Sequence, residues 1–309
     1  MQNLPFWLAV TLAAITACKP GNELPEGVQR TGTVRSGTLD EISGIQSGML
    51  NPGAWFVHND SGAAVVHAIG EDGSDLGAFR VSGAGNRDWE DLAAVPTAGG
   101  PVLVIGDIGD NDARRKHVTL YFVREPEPGR DGRFSGTENL LHRLRLTYPD
   151  GARDSEALAY DAGSGDLLII SKRDVPPRLY RIPLERALSV DRAELEALGT
   201  IRPLRPATRR DLVTFGQREA PWISQPTGMD IDRDGHRAAV ITYRSTYLFS
   251  RNRGESWQTA FGREPLEIEG PPGPKEEAVG FSPGGDFVLA TSEGLGAAVY
   301  RLATGTTEN

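Results

Sequence analysis

The sequence predicts an all-β fold, a β-propeller, and three observations lead to this prediction. One three-residue phrase recurs: a polar or acidic residue, then a variable residue, then an apolar residue. Each copy is soon followed by a strand-like run, and repeats of roughly 50 residues fit four-stranded blades. The five copies are Ser43-Gly44-Ile45, Glu90-Asp91-Leu92, Glu156-Ala157-Leu158, Thr227-Gly228-Met229 and Glu277-Ala278-Val279.

Each repeat divides into four strands. The first carries the recurring phrase, the second is apolar, the third alternates apolar and aromatic residues, and the fourth is more polar. Continuous apolar runs are expected where a strand is covered on both faces. The fifth repeat ends before a fourth strand, and a spare strand, VQRTGTVRSG, precedes the first repeat. We therefore expect five blades in a ring closed by this N-terminal strand, with a sixth blade inside 185–226 as the alternative.

The composition excludes several classes of protein. Of 309 residues, 39% are hydrophobic, and 37 Gly with 21 Pro suit short strands joined by many turns. The net charge of −9 argues against a nucleic-acid partner, which would call for a basic face. We expect no nucleic-acid partner, a monomer, and no membrane contact apart from an anchor.

The N-terminus predicts such an anchor. Residues 4–15 form an apolar stretch of signal-peptide length, although no Lys or Arg precedes it. The stretch runs into Ile15-Thr16-Ala17-Cys18, which resembles the bacterial lipobox, and Cys18 is the single cysteine. We expect residues 1–18 to be a lipoprotein signal peptide ending at the lipidated Cys18, 19–27 a tether and 28–309 the propeller. Lys19 follows the cysteine at the position where an Asp usually retains a lipoprotein in the inner membrane. We therefore expect the protein to be anchored in the outer membrane and to face the periplasm. The alternative is a buried N-terminal strand or helix with a chance cysteine.

The acidic residues of the recurring phrase are candidate metal ligands. Inner strands of a propeller converge on its channel, so Glu90, Glu156 and Glu277 could meet there and supply oxygens to calcium or another divalent cation. Asp107 is added to this set. The alternative is structural, because Ser43 and Thr227 occupy the same position and could make the same backbone hydrogen bonds. No other cofactor is indicated.

A second set of candidates lies where the second strands end. Carboxylates, an imidazole and several cations gathered on one face suit a small anionic or sugar-like ligand. An ordinary solvated rim is the alternative. His58 is the one candidate base. The candidate ligand-binding residues are Asn59, Asp60, Lys172, Arg173, Arg244 and Glu293. The turn at 106–112, with three Asp and one Asn, is either a further cation site or a hairpin turn.

Two functional hypotheses remain open. No G-x-S-x-G motif occurs and no pair of His has metal-ligand spacing, which favours a module that binds a ligand or an envelope protein without catalysis. The carboxylates and nearby cations favour a divalent-metal-dependent hydrolase of phosphoesters, esters or lactones.

Several phrases resemble bacterial propellers of the SdiA-regulated and esterase-like phytase groups and, more distantly, the regucalcin and gluconolactonase propellers. The phrases fall at 41–45, 88–93, 106–111, 155–161 and 226–232, within a resemblance that covers nearly all of 28–303. The resemblance implies a divalent ion near the central channel, held by Glu at the start of inner strands. Ser43 and Thr227 depart from that pattern, so no catalytic role follows from it.

Overall fold

The computed structural model describes residues 24–271 and 275–305, which form five antiparallel units of four strands each. Unit 1 contains β2 (Ile42–Ser47), β3 (Trp55–Asn59), β4 (Val65–Ile69) and β5 (Asp75–Ser82). Unit 2 contains β6 (Trp89–Val95), β7 (Val102–Asp107), β8 (Val118–Arg124) and β9 (Thr137–Thr147). Unit 3 contains β10 (Ser155–Asp161), β11 (Asp166–Ser171), β12 (Arg178–Pro183) and β14 (Glu196–Thr200). The last strands of units 1 and 2 also pair in parallel, Arg80 opposite Thr137, and so join these two units into one larger sheet.

The remaining strands complete the last two units. Unit 4 contains β15 (Gly228–Ile231), β16 (Arg237–Ile241), β17 (Ser245–Ser250) and β18 (Leu266–Glu269). Unit 5 contains β19 (Glu276–Phe281), β20 (Phe287–Ser292), β21 (Ala298–Ala303) and the N-terminal β1 (Val28–Thr33). Strands β1 and β21 are antiparallel, with Val28 opposite Leu302. The predicted closure by the N-terminal strand is confirmed.

The first strands of the five units form a closed ring. Strand β2 packs against β6, β6 against β10, β10 against β15, β15 against β19, and β19 against β2. A ring of four-stranded antiparallel sheets around a central channel is the architecture of a β-propeller. The predicted all-β propeller is therefore confirmed.

The long segment between units 3 and 4 forms no further four-stranded unit in the described part of the chain. It contributes α1 (Leu184–Ser189), the short β13 (Arg192–Glu194), β14, α2 (Arg209–Phe215) and a 3₁₀ turn (Gln217–Glu219). A third short helix, α3 (Trp257–Ala260), lies in unit 4. Among the described residues, no helix is long and apolar enough to cross a membrane.

Five hydrophobic clusters lie between neighbouring units, one at each interface of the ring. Strand β11 shows why its sequence is continuously apolar. Leu167 and Ile169 pack towards unit 2, whereas Leu168 and Ile170 pack towards unit 4. Successive side chains of a strand point to opposite faces, so a strand between two neighbours needs apolar residues at every position.

Two buried carboxylates tie the inner strands together. Asp91 Oδ2 on β6 accepts hydrogen bonds from the backbone N–H groups of Leu158 at 2.9 Å and Met229 at 3.0 Å, which belong to β10 and β15. Asp230 Oδ2 on β15 accepts one from Phe281 N–H on β19 at 2.7 Å. The bond from Met229 to Asp91 spans the channel between β15 and β6, which are not neighbours in the ring, and the other two bonds link neighbouring inner strands.

Candidate functional site

The polar residue of the recurring phrase lies at a β-bulge in four of the five units. The pairing register skips Ser43, Glu90, Glu156 and Glu277, so each is the extra residue at the start of its inner strand. Bulges redirect a side chain out of the regular alternation and are frequent beside active sites. We call the end of the channel where these bulges lie the mouth. Thr227 lies at the same end, where its hydroxyl donates to the Glu276 carbonyl at 3.2 Å.

Three buried carboxylates meet at the mouth. Glu90, Asp154 and Glu156 each offer an oxygen, and these oxygens lie within 4.8 Å of one another. Glu90 also accepts a hydrogen bond from Ser43 Oγ at 3.0 Å. Glu90 and Glu156 were both predicted metal ligands, and the structure brings them together. Asp154 was not predicted; it directly precedes β10, in the phrase Asp154-Ser155-Glu156.

Lys172 is the buried cation of the mouth. Its ammonium group pairs with Glu156 and lies 3.2 Å from the Tyr243 hydroxyl and 5.0 Å from the centre of that ring. The Lys275 ammonium lies 4.8 Å from the same ring centre. Burial lowers the pKa of Lys172, but the nearby carboxyls of Glu156 and Glu277 outweigh it and hold that pKa well above its usual value. Lys172 is therefore charged at neutral pH.

Arg173 supports the cluster from the outside. Its guanidinium group contacts Asp154 at 2.5 Å, bonds to Asn111 and lies 4.2 Å from the centre of the Trp222 ring. Glu219, in the same segment as Trp222, pairs with Lys275 at 2.9 Å. Residues 217–222 therefore lie against the side chains of the mouth.

The turn after β7 also supports the cluster. The Asp110 N–H donates to Asp154 Oδ1 at 2.8 Å, and Asp110 Oδ2 accepts from Arg115 N–H at 2.7 Å. Gly109 lies so close to Glu90 Oε1 that a Cβ atom at this position would collide with it. The glycine and aspartates of this turn thus hold the carboxylates of the mouth in place.

The carboxyls of the mouth bind protons more tightly than free carboxyls do. Burial, reinforced by the charge of Glu156, raises the pKa of Glu90 well above its usual range. Burial raises the pKa of Glu156 to about 7 even though Lys172 opposes the shift. Burial likewise raises the pKa of Glu277, with Lys172 opposing and Glu156 reinforcing. Protons therefore offset part of the negative charge that these carboxyls would otherwise carry at neutral pH.

The second-strand residues divide into two sets according to strand register. Asn59, Asp107, Ser171 and Ser292 all pair with the residue just before a bulge. The following residues, Asp60, Lys172 and Glu293, occupy the next position, where side chains point the other way. This alternation separates Asp107 and Asn59 from Lys172.

Asp107 and Asn59, of the first set, have local partners. Asp107 pairs with Arg115 at 2.6 Å rather than joining the three carboxylates. Asn59 Nδ2 donates to the Thr38 carbonyl at 2.8 Å and to Asp40 at 3.0 Å, which holds the loop before β2.

Asp60 and Glu293, the acidic residues of the second set, add negative charge to the same end of the channel. Burial, a hydrogen bond with Glu41 and the charge of Glu293 together raise the pKa of Asp60 to about 6. Glu293 also raises the pKa of Glu277. Asp60 and Glu293 therefore lie within electrostatic range of one another.

His58 and Arg244 are buried within the protein. His58 Nδ1 lies 3.1 Å from the Asn59 carbonyl, and its ring meets that of Trp89 edge-on at 5.4 Å. Burial lowers the pKa of His58 to about 4, so its ring is neutral at pH 7. Arg244 bonds to Asp211 and to the Tyr247 hydroxyl, each at 2.8 Å, and so fixes the segment before unit 4. Cys18 lies outside the described residues.

The fold and the mouth together define a β-propeller with a buried, mainly acidic site at one end of its channel. The sequence matches no protein-family model and no curated protein.

Solved structures with a similar fold are β-propellers. One is a gluconolactonase from Xanthomonas campestris, 11% identical, which covers 89% of each chain with a TM-score of 0.48. Another is a luciferin-regenerating enzyme, 14% identical, which covers 91% of this chain and 95% of that one with a TM-score of 0.45. A third is the β-propeller domain of Cps50 (Swd1) from Myceliophteria thermophila, 14% identical, which covers 90% and 100% with a TM-score of 0.44. The fold assignment rests on the closed ring of strands.

Proposed function

We propose that this protein is a ligand-binding β-propeller of the cell envelope that holds a divalent cation, calcium first, at its mouth. The observation that supports this proposal is the convergence of Glu90, Asp154 and Glu156, all buried, with oxygens within 4.8 Å of one another. Carboxylate oxygens from separate strands are the ligands that calcium prefers.

The charge balance of the mouth favours a divalent ion. Five carboxyls, those of Glu90, Asp154, Glu156, Glu277 and Glu219, face three cations, Lys172, Arg173 and Lys275. With every group ionised, the difference is two negative charges. Buried charges are stable only when they are paired or bind a metal. Without an ion, burial raises the pKa values of Glu90 and Glu156, so protons would offset part of this charge. The donor set therefore fits a divalent cation.

The ligand of such a site would be small and anionic or sugar-like. A cation at the mouth would attract ligand oxygens, and Lys172 and Arg173 lie beside the carboxylates that would hold it. Trp222, stacked on Arg173, offers an aromatic face at the same place. An envelope protein that inserts an acidic side chain could bind the same cation and the same basic residues. We expect the propeller itself to be monomeric.

Thermal unfolding of the full chain with and without calcium tests the cation proposal. A ligand that binds only the folded state stabilises it by about 2.7 kcal/mol at one hundred times its Kd. We expect calcium at millimolar concentration to raise the Tm, and Glu90→Gln to abolish the rise. Glu194→Gln, an exposed change on β13, is the matched control and should keep it. An unchanged Tm in the wild type, or an equal rise in Glu90→Gln, would contradict the proposal.

A second candidate function is hydrolysis of a phosphoester, ester or lactone. The observation that favours it is Glu156, whose pKa of about 7 lets its carboxyl take up and release a proton near neutral pH. Lys172 would position Glu156 and stabilise its charged form, and the residues at 217–222 would limit water at the mouth. A bound cation would supply polarisation of the substrate oxygen.

Hydrolysis is tested by assaying phosphoester, ester and lactone substrates with the purified chain. We expect Glu156→Gln to lose activity while keeping its fold by circular dichroism, with Glu194→Gln again as the control. Calcium binding without any turnover of these substrates would support the binding function and contradict the hydrolase function. Activity that survives Glu156→Gln would exclude the proposed proton transfer.

The proposal also includes lipid attachment at Cys18 and an outer-membrane address facing the periplasm, both supported by the sequence around residue 18. Membership of the SdiA-regulated or esterase-like phytase groups belongs to the same proposal. We expect labelled palmitate to be incorporated into the wild-type chain and not into Cys18→Ser. Labelling of Cys18→Ser, or none of the wild type, would contradict attachment at this residue.

A further inference from the structure

A cationic pocket lies on unit 2, separate from the three carboxylates of the mouth. Its volume is about 520 Å³, and it lies between the loop that follows β7 and the residues that precede β6. Its lining includes Asn86, Arg87, Arg115, Lys116, His117 and Tyr121. Four of these six side chains are basic, in a chain whose net charge is −9.

Two of the four arginine and lysine side chains that line the pocket make no ion pair among the described residues. Arg115 pairs with Asp107, and the exposed Arg114 pairs with Asp112 at 3.4 Å. Arg87 and Lys116 are exposed and make no ion pair in the described part of the chain. Partial desolvation lowers the pKa of the exposed His117, and the charges of Arg145, Arg115, Arg192 and Arg87 lower it further. Several guanidinium groups therefore act on one imidazole at once.

Arg115 is held rigidly at the wall of the pocket. Its Nη2 lies 2.6 Å from Asp107 Oδ1, and its Nη1 donates to the Gly109 carbonyl at 2.6 Å. Only 6% of the side chain is exposed, and its Nε has no hydrogen-bond partner among the described residues. A fixed guanidinium with an unpaired Nε, beside exposed cations at the rim, is an arrangement that suits an anion rather than a packing contact.

We propose that this pocket binds a phosphate group, with Arg115 at its wall and Arg87, Lys116 and His117 around it. Phosphate presents several oxygens to donors that approach from different directions, as the basic side chains do here. The pocket contains one carboxylate, Asp107, which Arg115 already neutralises. The site does not depend on a cation at the mouth, so it stands or falls separately from the function proposed above.

Phosphate binding is tested by calorimetry and by NMR titration of His117 in the full chain at low ionic strength. The free-phosphate arm uses inorganic phosphate and tripolyphosphate, and the lipid arm uses phosphatidylcholine vesicles with and without phosphatidylglycerol. We expect binding in the free-phosphate arm to raise the His117 pKa, because an anion offsets the surrounding guanidinium groups. We expect Arg87→Ala and Lys116→Ala each to weaken binding by roughly fivefold, and added salt to weaken it further.

The controls distinguish the pocket from general attraction to a basic surface. Arg130→Ala removes an exposed arginine from the loop between β8 and β9 and should leave the affinity unchanged. Arg115→Ala would leave Asp107 buried and unpaired and could therefore unfold the protein. The test of phosphate binding therefore uses the exposed residues, through Arg87→Ala and Lys116→Ala. Binding only to the anionic vesicles, with loss in Arg87→Ala, would identify a lipid headgroup as the source of the phosphate. No change of the His117 pKa in either arm, or equal weakening by Arg130→Ala, would overturn the proposal.

Discussion

Ser43 Oγ donates a hydrogen bond to Glu90 Oε2 at 3.0 Å, and the two residues begin neighbouring inner strands. The serine therefore occupies a glutamate position of the recurring phrase and supplies a donor to the next glutamate. Thr227 also occupies a glutamate position of the phrase, and its hydroxyl donates to the backbone carbonyl of Glu276 in unit 5. The ring thus combines two hydroxyl donors with three carboxyls, which reduces the repulsion that five carboxyls would produce.

Lys172→Met should destabilise the protein strongly. The substitution leaves Glu156 buried without its ammonium partner, and breaking one side of a buried ion pair costs about 3–5 kcal/mol. Urea unfolding at neutral pH measures this loss. Lys116→Met, which removes an exposed ammonium group, should change stability by less than about 0.5 kcal/mol. A loss in Lys172→Met as small as that of Lys116→Met would show that Lys172 does not neutralise the mouth.

Glu276→Gln should flatten the dependence of stability on pH. Burial raises the pKa of Glu276 from 4.5 to about 8, and neither carboxyl oxygen has a hydrogen-bond partner among the described residues. The folded state binds this proton more tightly than the unfolded state does. The resulting stabilisation is complete below pH 4.5 and is lost as the pH rises through about 8.

Urea unfolding at a series of pH values measures this effect. We expect the variant to be the more stable protein at high pH, because an amide carries no charge to bury. Glu255→Gln is the control, since a hydrogen bond from Arg263 lowers the pKa of Glu255 to about 2 and its titration lies outside this range. Parallel profiles for the wild type and Glu276→Gln would contradict the expectation.

Asp91→Asn should destabilise the ring of inner strands. Asp91 Oδ2 accepts from backbone N–H groups on β10 and β15, and Oδ1 accepts from Leu92 N–H at 2.9 Å. Because an amide nitrogen cannot accept, either orientation of an asparagine leaves at least one of these donors unpaired. Each buried donor left unpaired costs about 1–3 kcal/mol. Asp234→Asn, in an exposed turn of unit 4, should have almost no effect. Equal unfolding midpoints in denaturant for the two variants would show that Asp91 does not hold the strands together.

The recurring phrase was sufficient to predict the fold, because its period reflects the four strands of each unit. The continuous apolar runs, such as that of β11, have their cause in the two interfaces that each strand serves. The closing partner of β21 was also predictable, since the fifth repeat lacks a strand that the N-terminus supplies.

The candidate site was predictable only in part. Glu90 and Glu156 share a position in the repeat, so their convergence follows from the ring. Asp154 and Tyr243 lie outside the phrase, and no periodic signal marked them. Asp107 was assigned to the metal set because it ends a strand, but register places it with Asn59 and directs it to Arg115.

The path of the long segment at 185–226 explains the position of Arg244. Its place after the second strand of unit 4 suggested a ligand-binding role, yet the side chain bonds to Asp211 in that segment. The route of an irregular segment depends on its tertiary contacts, and neither strand period nor composition gives it. The same holds for Trp222, which reaches Arg173 through this segment.

The most direct test of the cation at the mouth is the anomalous difference map of crystals grown with manganese, which can replace calcium at oxygen ligands. We expect a peak among the carboxylates of Glu90, Asp154 and Glu156, and no peak there in crystals of Glu90→Gln. A map without a peak at these carboxylates, with the Lys172 ammonium as their only cation besides Arg173, would contradict a metal site at the mouth.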